Sequence, residues 1–230
     1  QLGKRESVAD VARVISRYVD VVMARVFGHY DLVELAEYAS VPVINALSDY
    51  SHPCQGMADF MTILEKRGGF EGQKLVYLGD GNNVSTSLLF GAALLGMDFT
   101  IATPKGYELH PAVWDMGRSI AAETGANLVA TRDPIAAATN ADVLYTDAWA
   151  SMGQEEEAAK RRRVFPPYRI DESKLAPAKD DVIVMHCLPA HRGEEITDAV
   201  ADGPHSALFD QAENRLHSEK AILVWCLDAA

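Results

Sequence analysis

Short runs of β-branched and other apolar residues alternate along this chain with longer stretches in which apolar positions recur every three or four residues. The runs cover residues 21–27, 41–47, 75–79, 99–102, 128–131, 143–146 and 182–185; each reads as a strand, and the last as a buried parallel one. Helices fit between them at residues 31–39, 53–66, 84–95, 111–124 and 134–139, with Gly96 and Gly125 placed to cap two of them. This rhythm predicts an α/β fold of two doubly wound parallel-sheet domains, covered on both faces. The polar stretch 67–72 interrupts it and marks the domain boundary. One and a half βα units precede that boundary and a full set follows, so the first domain reads as incomplete. A last helix, residues 212–227, is placed to pack back across both halves.

Two strand ends carry polar groups suited to one ligand. His52-Pro53-Cys54-Gln55 follows the run that ends at Leu47, and a helix starting at Pro53 puts Gln55 one turn from His52. His186-Cys187-Leu188-Pro189 closes the run at 182–185. Ligands of open α/β sheets sit outside the carboxyl ends of strands, which makes Cys187 a candidate site residue.

Over 230 residues, 48% hydrophobic and 23% charged positions suffice for one or two packed cores. A net charge of −12 argues against nucleic acid or an anionic membrane as the main partner and makes any anion site local. Cys54, Cys187 and Cys226 have neither metal-ribbon nor disulfide-scaffold spacing, so a reducing cytoplasm is the simplest home. No apolar stretch approaches the roughly 20 residues of a membrane span, and no signal peptide opens the sequence.

Leu78-Gly79-Asp80-Gly81-Asn82-Asn83 follows a strand and opens a helix, as a dinucleotide-binding loop does, but lacks the third glycine and a following acidic residue. Asparagine suits a small polar ligand, offering donor and acceptor; the alternative is that Asn83 caps the next helix. The loop from Asp147 to Gln154 supplies a carboxylate for an ammonium group and, near Ser151 and Met152, a hydroxyl and backbone amides for a carboxylate. That set is amino-acid-shaped, although a capped loop leading into a helix at 154–164 uses the same residues. Residues 155–163 place acids first and bases last, as a solvated helix does. His186, Cys187 and His191 can be read as zinc ligands, but without paired cysteines and in a proline-interrupted turn. Cys187 as a nucleophile needs a base, for which His186 is the neighbour, yet adjacent strand residues point apart.

Taken together, eight segments carry a resemblance: Asp10-Val11-Ala12-Arg13-Val14, Ala24-Arg25-Val26-Phe27, His52-Pro53-Cys54-Gln55, Gly79-Asp80-Gly81-Asn82-Asn83, Thr103-Pro104-Lys105-Gly106-Tyr107, Ser151-Met152-Gly153-Gln154-Glu155-Glu156-Glu157, His186-Cys187-Leu188-Pro189 and Glu213-Asn214-Arg215. In this order they resemble the ornithine carbamoyltransferases of the aspartate/ornithine carbamoyltransferase family, nearly from end to end. The resemblance implies that carbamoyl phosphate and L-ornithine react to give citrulline and phosphate. It also implies that no metal or organic cofactor takes part, and that the protein is a trimer with sites at subunit interfaces. Arg25, His52, Gln55 and Arg215 match the carbamoyl phosphate side, and Gln1 matches a residue that reaches the neighbouring subunit's site. Asn83, Asp147, Ser151 and Met152 match positions that hold the α-amino and α-carboxylate groups of ornithine. Cys187 and the Leu188 carbonyl match those that orient the δ-amine, and the Leu188-Pro189 bond is cis in the family. The Ser-Met-Gly loop favours ornithine over aspartate or putrescine.

The resemblance divides the chain into residues 1–52 of a carbamoyl phosphate-binding domain, a linking helix at 53–67, an ornithine-binding domain at 68–211 and a returning helix at 212–230. The family's Ser-x-Arg-Thr-Arg phosphate segment has no counterpart here, which implies a full enzyme with more residues, or else a fragment, a deletion or a decayed copy. The alternative is a non-catalytic amino-acid-binding or assembly module. The direction, arginine biosynthesis or the reverse, stays open.

Overall fold

The computed structural model describes residue 3, residues 5–150 and residues 157–228. The chain opens with α1 (Val8–Ile15), β1 (Val22–Arg25), α2 (His29–Tyr38) and β2 (Val43–Leu47), and then runs through the long helix α3 (Pro53–Arg67). There follow β3 (Lys74–Leu78), α4 (Asn83–Leu95), β4 (Asp98–Ala102), α5 (Pro111–Thr124), β5 (Leu128–Thr131), α6 (Pro134–Ala138) and β6 (Val143–Thr146). The last elements are α7 (Ala158–Val164), α8 (Glu172–Leu175), β7 (Ile183–His186), α9 (Asp198–Ala201) and α10 (Leu208–Asp228).

Among the described residues, β1 and β2 form a parallel pair, and the other five strands form one parallel sheet in the order β5-β4-β3-β6-β7. The chain builds outward from β3 to β5, then returns to the other side of β3. The reversal therefore falls between β3 and β6, where such sheets leave a crevice. Alternation along the strands shows why each run is apolar throughout. Leu75, Tyr77, Val143 and Tyr145 join one core cluster with Phe99, Leu88 and Leu89. Their neighbours Val76, Leu78 and Leu144 join another with Val184, Ile170 and Leu208. Successive side chains face opposite sides, so both faces are covered at β3, β4, β6 and β7, whereas the edge strand β5 and the small sheet's β1 are not covered on both faces: Val129 is 38% and Met23 64% exposed. Each fully buried Leu or Val here contributes roughly 1.5–3 kcal/mol relative to exposure.

Pro53 opens α3, and Gly68, left-handed at φ 76°, ends it. This helix carries the chain from the small sheet to the large one. Arg67 at its end donates to Asp142 Oδ1 at 2.8 Å and to Gln73 Oε1 at 3.0 Å. The expected return of the last helix is seen: α10 packs along α3, and Asn214 Nδ2 donates to Thr62 Oγ1 at 3.0 Å.

The differences from the sequence reading are local. The strand expected at 21–27 ends at Arg25, where the register with β2 shifts between Ala24 and Arg25. The last helix starts earlier, at Leu208. Helices α1, α8 and α9 are not among the expected ones; α8 and α9, four residues each, are too short for a periodic signal. No helix among the described residues is long and apolar enough to cross a membrane.

Candidate active site

The carboxyl ends of both sheets face one cleft of about 830 Å³. Arg25 comes from the end of β1, Ser48 from the end of β2, and His52 from the start of α3. The loop after β3 brings Asn82 and Asn83, β6 brings Asp147, and β7 brings Cys187, Leu188 and Pro189. Arg215 enters from α10. Of the residues expected in the site, Arg25, His52, Asn83, Asp147, Cys187, Leu188 and Arg215 thus line one space. Gln55 lies behind it, buried one turn beyond His52. Gln1, Ser151 and Met152 lie outside the described residues.

One wall is cationic. Arg25 is exposed and has no ion-pair partner among the described residues, whereas Arg215 donates through Nε and Nη2 to Glu219 Oε1, at 3.1 and 2.7 Å. Buried His52 sits near both. Burial first, then the charges of Arg215 and Arg25, lowers its pKa to about 4, so its imidazole is neutral at neutral pH. Its amide is held by Ser87 Oγ at 2.8 Å, but Nδ1 has no hydrogen-bond partner among the described residues. Gln55 Oε1 is likewise buried, with no partner among the described residues. Unmatched buried polar atoms beside a cleft are candidates for meeting a ligand.

The opposite wall centres on Asp147. Its Oδ2 accepts from Asn82 Nδ2 at 2.7 Å, and its Oδ1 accepts from the Ala148 amide at 2.7 Å and the Cys187 thiol at 3.0 Å. Burial and then the Asp147 charge push the Cys187 thiol well above its ordinary range. A protonated thiol that donates to a carboxylate is a poor nucleophile. Iodoacetamide at pH 8 should therefore leave Cys187 unmodified in the folded chain while labelling it after unfolding, as read by peptide mass spectrometry; rapid labelling of folded protein would contradict this.

Nor is His186 a base for that thiol. Its Nε2 lies 3.0 Å from Glu195 Oε1, and its Nδ1 accepts from the Leu188 amide at 2.8 Å. Both ring nitrogens are spent in holding the turn that carries Leu188, whose bond to Pro189 is cis. The zinc reading meets the same obstacle. Donor atoms of Asp147, His186 and Cys187 lie within 4.8 Å of one another, but the histidine nitrogens and the thiol proton are already engaged, and His191 is not in the group.

Asn83 is not the helix cap: Asn82 is, accepting from the amides of Val84 and Ser85 at 3.0 Å each. Asn83 instead donates through Nδ2 to Ser48 O at 2.7 Å, tying the two sheets together across the cleft. Gly81 has its own reason to be glycine, because a Cβ there would lie 2.4 Å from the Leu109 amide nitrogen.

Two models of one family match the chain: the carbamoyl phosphate-binding domain of aspartate/ornithine carbamoyltransferases over residues 1–65, and the aspartate- or ornithine-binding domain over residues 71–226. The chain belongs to the aspartate/ornithine carbamoyltransferase family. It is 56% identical to an ornithine carbamoyltransferase from Thermococcus kodakarensis over 97% of this chain and 71% of that protein. It is also 56% identical to one from Acidothermus cellulolyticus, over 100% of this chain and 74% of that one. The solved ornithine carbamoyltransferase of Pyrococcus furiosus superposes with a TM-score of 0.96 at 53% identity, covering 100% of this chain and 74% of that chain.

Beside the family motifs, two residues escaped the sequence reading. Asn82 was visible as an asparagine before a helix, but the choice between adjacent asparagines was not. Arg161 lies in the run read as a solvated helix, yet it is only 4% exposed. It donates to Asp80 Oδ2 at 2.6 Å and to Trp149 O at 2.7 Å, and lies over the rings of Tyr107 and Phe165. It lines the cleft and fastens α7 to the loop after β3.

Proposed function

We propose that this chain transfers the carbamoyl group of carbamoyl phosphate to the δ-amine of L-ornithine, giving L-citrulline and phosphate. The observation that carries this is a single cleft with, on one wall, an exposed arginine that has no ion-pair partner among the described residues and a neutral histidine, and on the other a carboxylate, a thiol and a turn carbonyl. Arg25, Arg215 and His52 face the carbamoyl phosphate, with Gln55 holding its amide end. Asp147, Asn83, Ser151 and Met152 hold the α-groups of ornithine, while Cys187 and the Leu188 carbonyl orient the δ-amine. Its nitrogen attacks the carbamoyl carbon, Arg25 donates to the oxygen that gains negative charge, and the C–O bond to phosphate breaks. The proton shed by nitrogen leaves with the phosphate. The nucleophile belongs to the substrate, and proximity supplies much of the acceleration.

In this reading residues 1–52 form the carbamoyl phosphate side, 53–67 the link, 68–211 the ornithine side and 212–230 the returning helix, in a cytoplasmic homotrimer whose Gln1 serves a neighbour. A relative from Pyrococcus furiosus is named an anabolic ornithine carbamoyltransferase, which favours a role in arginine biosynthesis.

The test is citrulline formation against pH. His52 loses its charge near pH 4 and Cys187 stays protonated well into the alkaline range, so neither sets the rate near neutrality. The δ-amine does, with a solution pKa of about 10.4. At low ornithine, activity should climb nearly tenfold per pH unit from about 7 to 9. A flat profile would sink direct attack by the free amine, and ornithine binding with no citrulline at any pH would favour the binding-module alternative.

A further inference from the structure

A buried carboxylate behind the cleft has no role in the chemistry above. Asp59, on α3, is 0% exposed and has no ion-pair partner among the described residues. Three neutral donors converge on it. Gln55 Nε2 and Gln211 Nε2 reach Oδ1 at 2.8 and 2.7 Å, and the Tyr145 hydroxyl reaches Oδ2 at 3.1 Å. Burying a carboxylate is expensive unless its hydrogen bonds are met, and an apolar residue would avoid the cost altogether. The consequence falls on Gln55. An ionised carboxylate only accepts, so the Gln55 amide must turn its nitrogen toward Asp59. That leaves Oε1, which is buried and has no partner among the described residues, as the group Gln55 offers beyond α3.

We propose that Asp59 is a positioning residue that fixes the Gln55 amide with its oxygen outward, so that the site accepts a hydrogen bond from the carbamoyl NH₂ and discriminates against acyl phosphates that carry a methyl group there. The proposal rests on the carbamoyl-binding reading of Gln55. A methyl group would leave Oε1 desolvated and unpaired, and this penalty is the source of strong discrimination by polar sites.

Three groups from other elements bear on the charge of Asp59: Arg215 from α10 favours the carboxylate, while Tyr145 from β6 donates to it and Cys187 lies after β7. Burial outweighs the hydrogen bonds and Arg215, raising its pKa to about 7. Above that pH the carboxylate only accepts. Below it the carboxyl gains a hydroxyl that can donate to Gln55 Oε1, which frees the amide to turn over.

The experiment compares two non-reactive ligands that differ only at the position read. Phosphonoacetamide carries NH₂, and acetonylphosphonate carries CH₃ in its place. At pH 8 the unaltered chain should bind the amide about ten- to a hundredfold more tightly, the range for one buried hydrogen bond left unmet. Asp59→Asn pairs with either orientation of the Gln55 amide, so the preference should fall to about threefold or less. Tyr145→Phe removes a donor to Asp59 without touching Gln55; because that hydrogen bond favours the carboxylate, the variant should keep the preference at about pH 9 but lose it at a higher pH than the unaltered chain does. A full preference in Asp59→Asn would overturn the proposal. The ratio in the unaltered chain should also shrink as pH falls through about 7, with phosphonate ionisation common to both ligands cancelling. A ratio constant from about pH 5.5 to 8.5 would overturn the proposal without any variant. Failure of the unaltered chain to bind either ligand would overturn the carbamoyl reading of the cleft, and the proposal with it.

Discussion

Replacing Arg25 by alanine should lower kcat/KM for carbamoyl phosphate by about a hundred- to a thousandfold, the range for loss of one preorganised donor to developing negative charge. The fold should barely notice. Arg25 is exposed at the end of β1 and has no ion-pair partner among the described residues, so its removal strands no buried charge. The thermal midpoint should move by no more than a couple of degrees, since surface changes away from special features fall within about 0.5 kcal/mol. KM for ornithine should change little, because the amino acid's α-groups lie on the opposite wall. Steady-state kinetics with each substrate varied, beside a melting curve, separates these effects. Unchanged kcat/KM would remove Arg25 from the site.

Asp147→Asn should produce the complementary loss. The carboxylate is 9% exposed and accepts from Asn82, Ala148 and Cys187. It faces the cleft as the anion for the α-ammonium of ornithine. An amide of the same shape lacks the charge and aims N–H groups at donors. Truncating one partner of a desolvated charge pair costs about 2–5 kcal/mol. KM for ornithine should therefore rise at least about thirtyfold, with KM for carbamoyl phosphate nearly unchanged. Cys187 would also lose the charge that helps keep it protonated, so its alkylation at pH 8 should quicken in the variant. Equal loss for both substrates would point to general disruption.

Much of this was legible in the chain because the relevant signals are local. Strands β3, β4, β6 and β7 of the large sheet are buried on both faces, so their runs are largely apolar, and Gly96 and Gly125 sit in left-handed caps where helices stop. Strand ends carrying His52, Asp147 and Cys187 pointed to a cleft because a parallel sheet gathers its carboxyl ends on one side. What stayed hidden depends on partners far apart in sequence. Asp59 meets Gln211 and Tyr145, and Arg161 meets Asp80, only after both sheets and α10 have assembled. Local pattern gives a mid-helix aspartate no reason to be buried, and it reads Arg161 as one more base on a solvated face. The capping alternative for Asn83 failed by a single residue. Asn82 and Asn83 have the same propensity to cap, and the choice is made by β3 ending so that Asn82 reaches both Val84 and Asp147 while Asn83 reaches Ser48.

The arrangement of two substrates across one cleft is tested most directly by a crystal structure of this chain with an inert analogue that joins a phosphonoacetyl group to the δ-nitrogen of ornithine. The phosphonate should lie against Arg25, with the amide carbonyl beside His52 and Arg215. The linking nitrogen should lie at the Leu188 carbonyl, and the α-ammonium should meet Asp147. An analogue bound in the opposite sense, or seated outside the cleft, would contradict the assignment of its two walls.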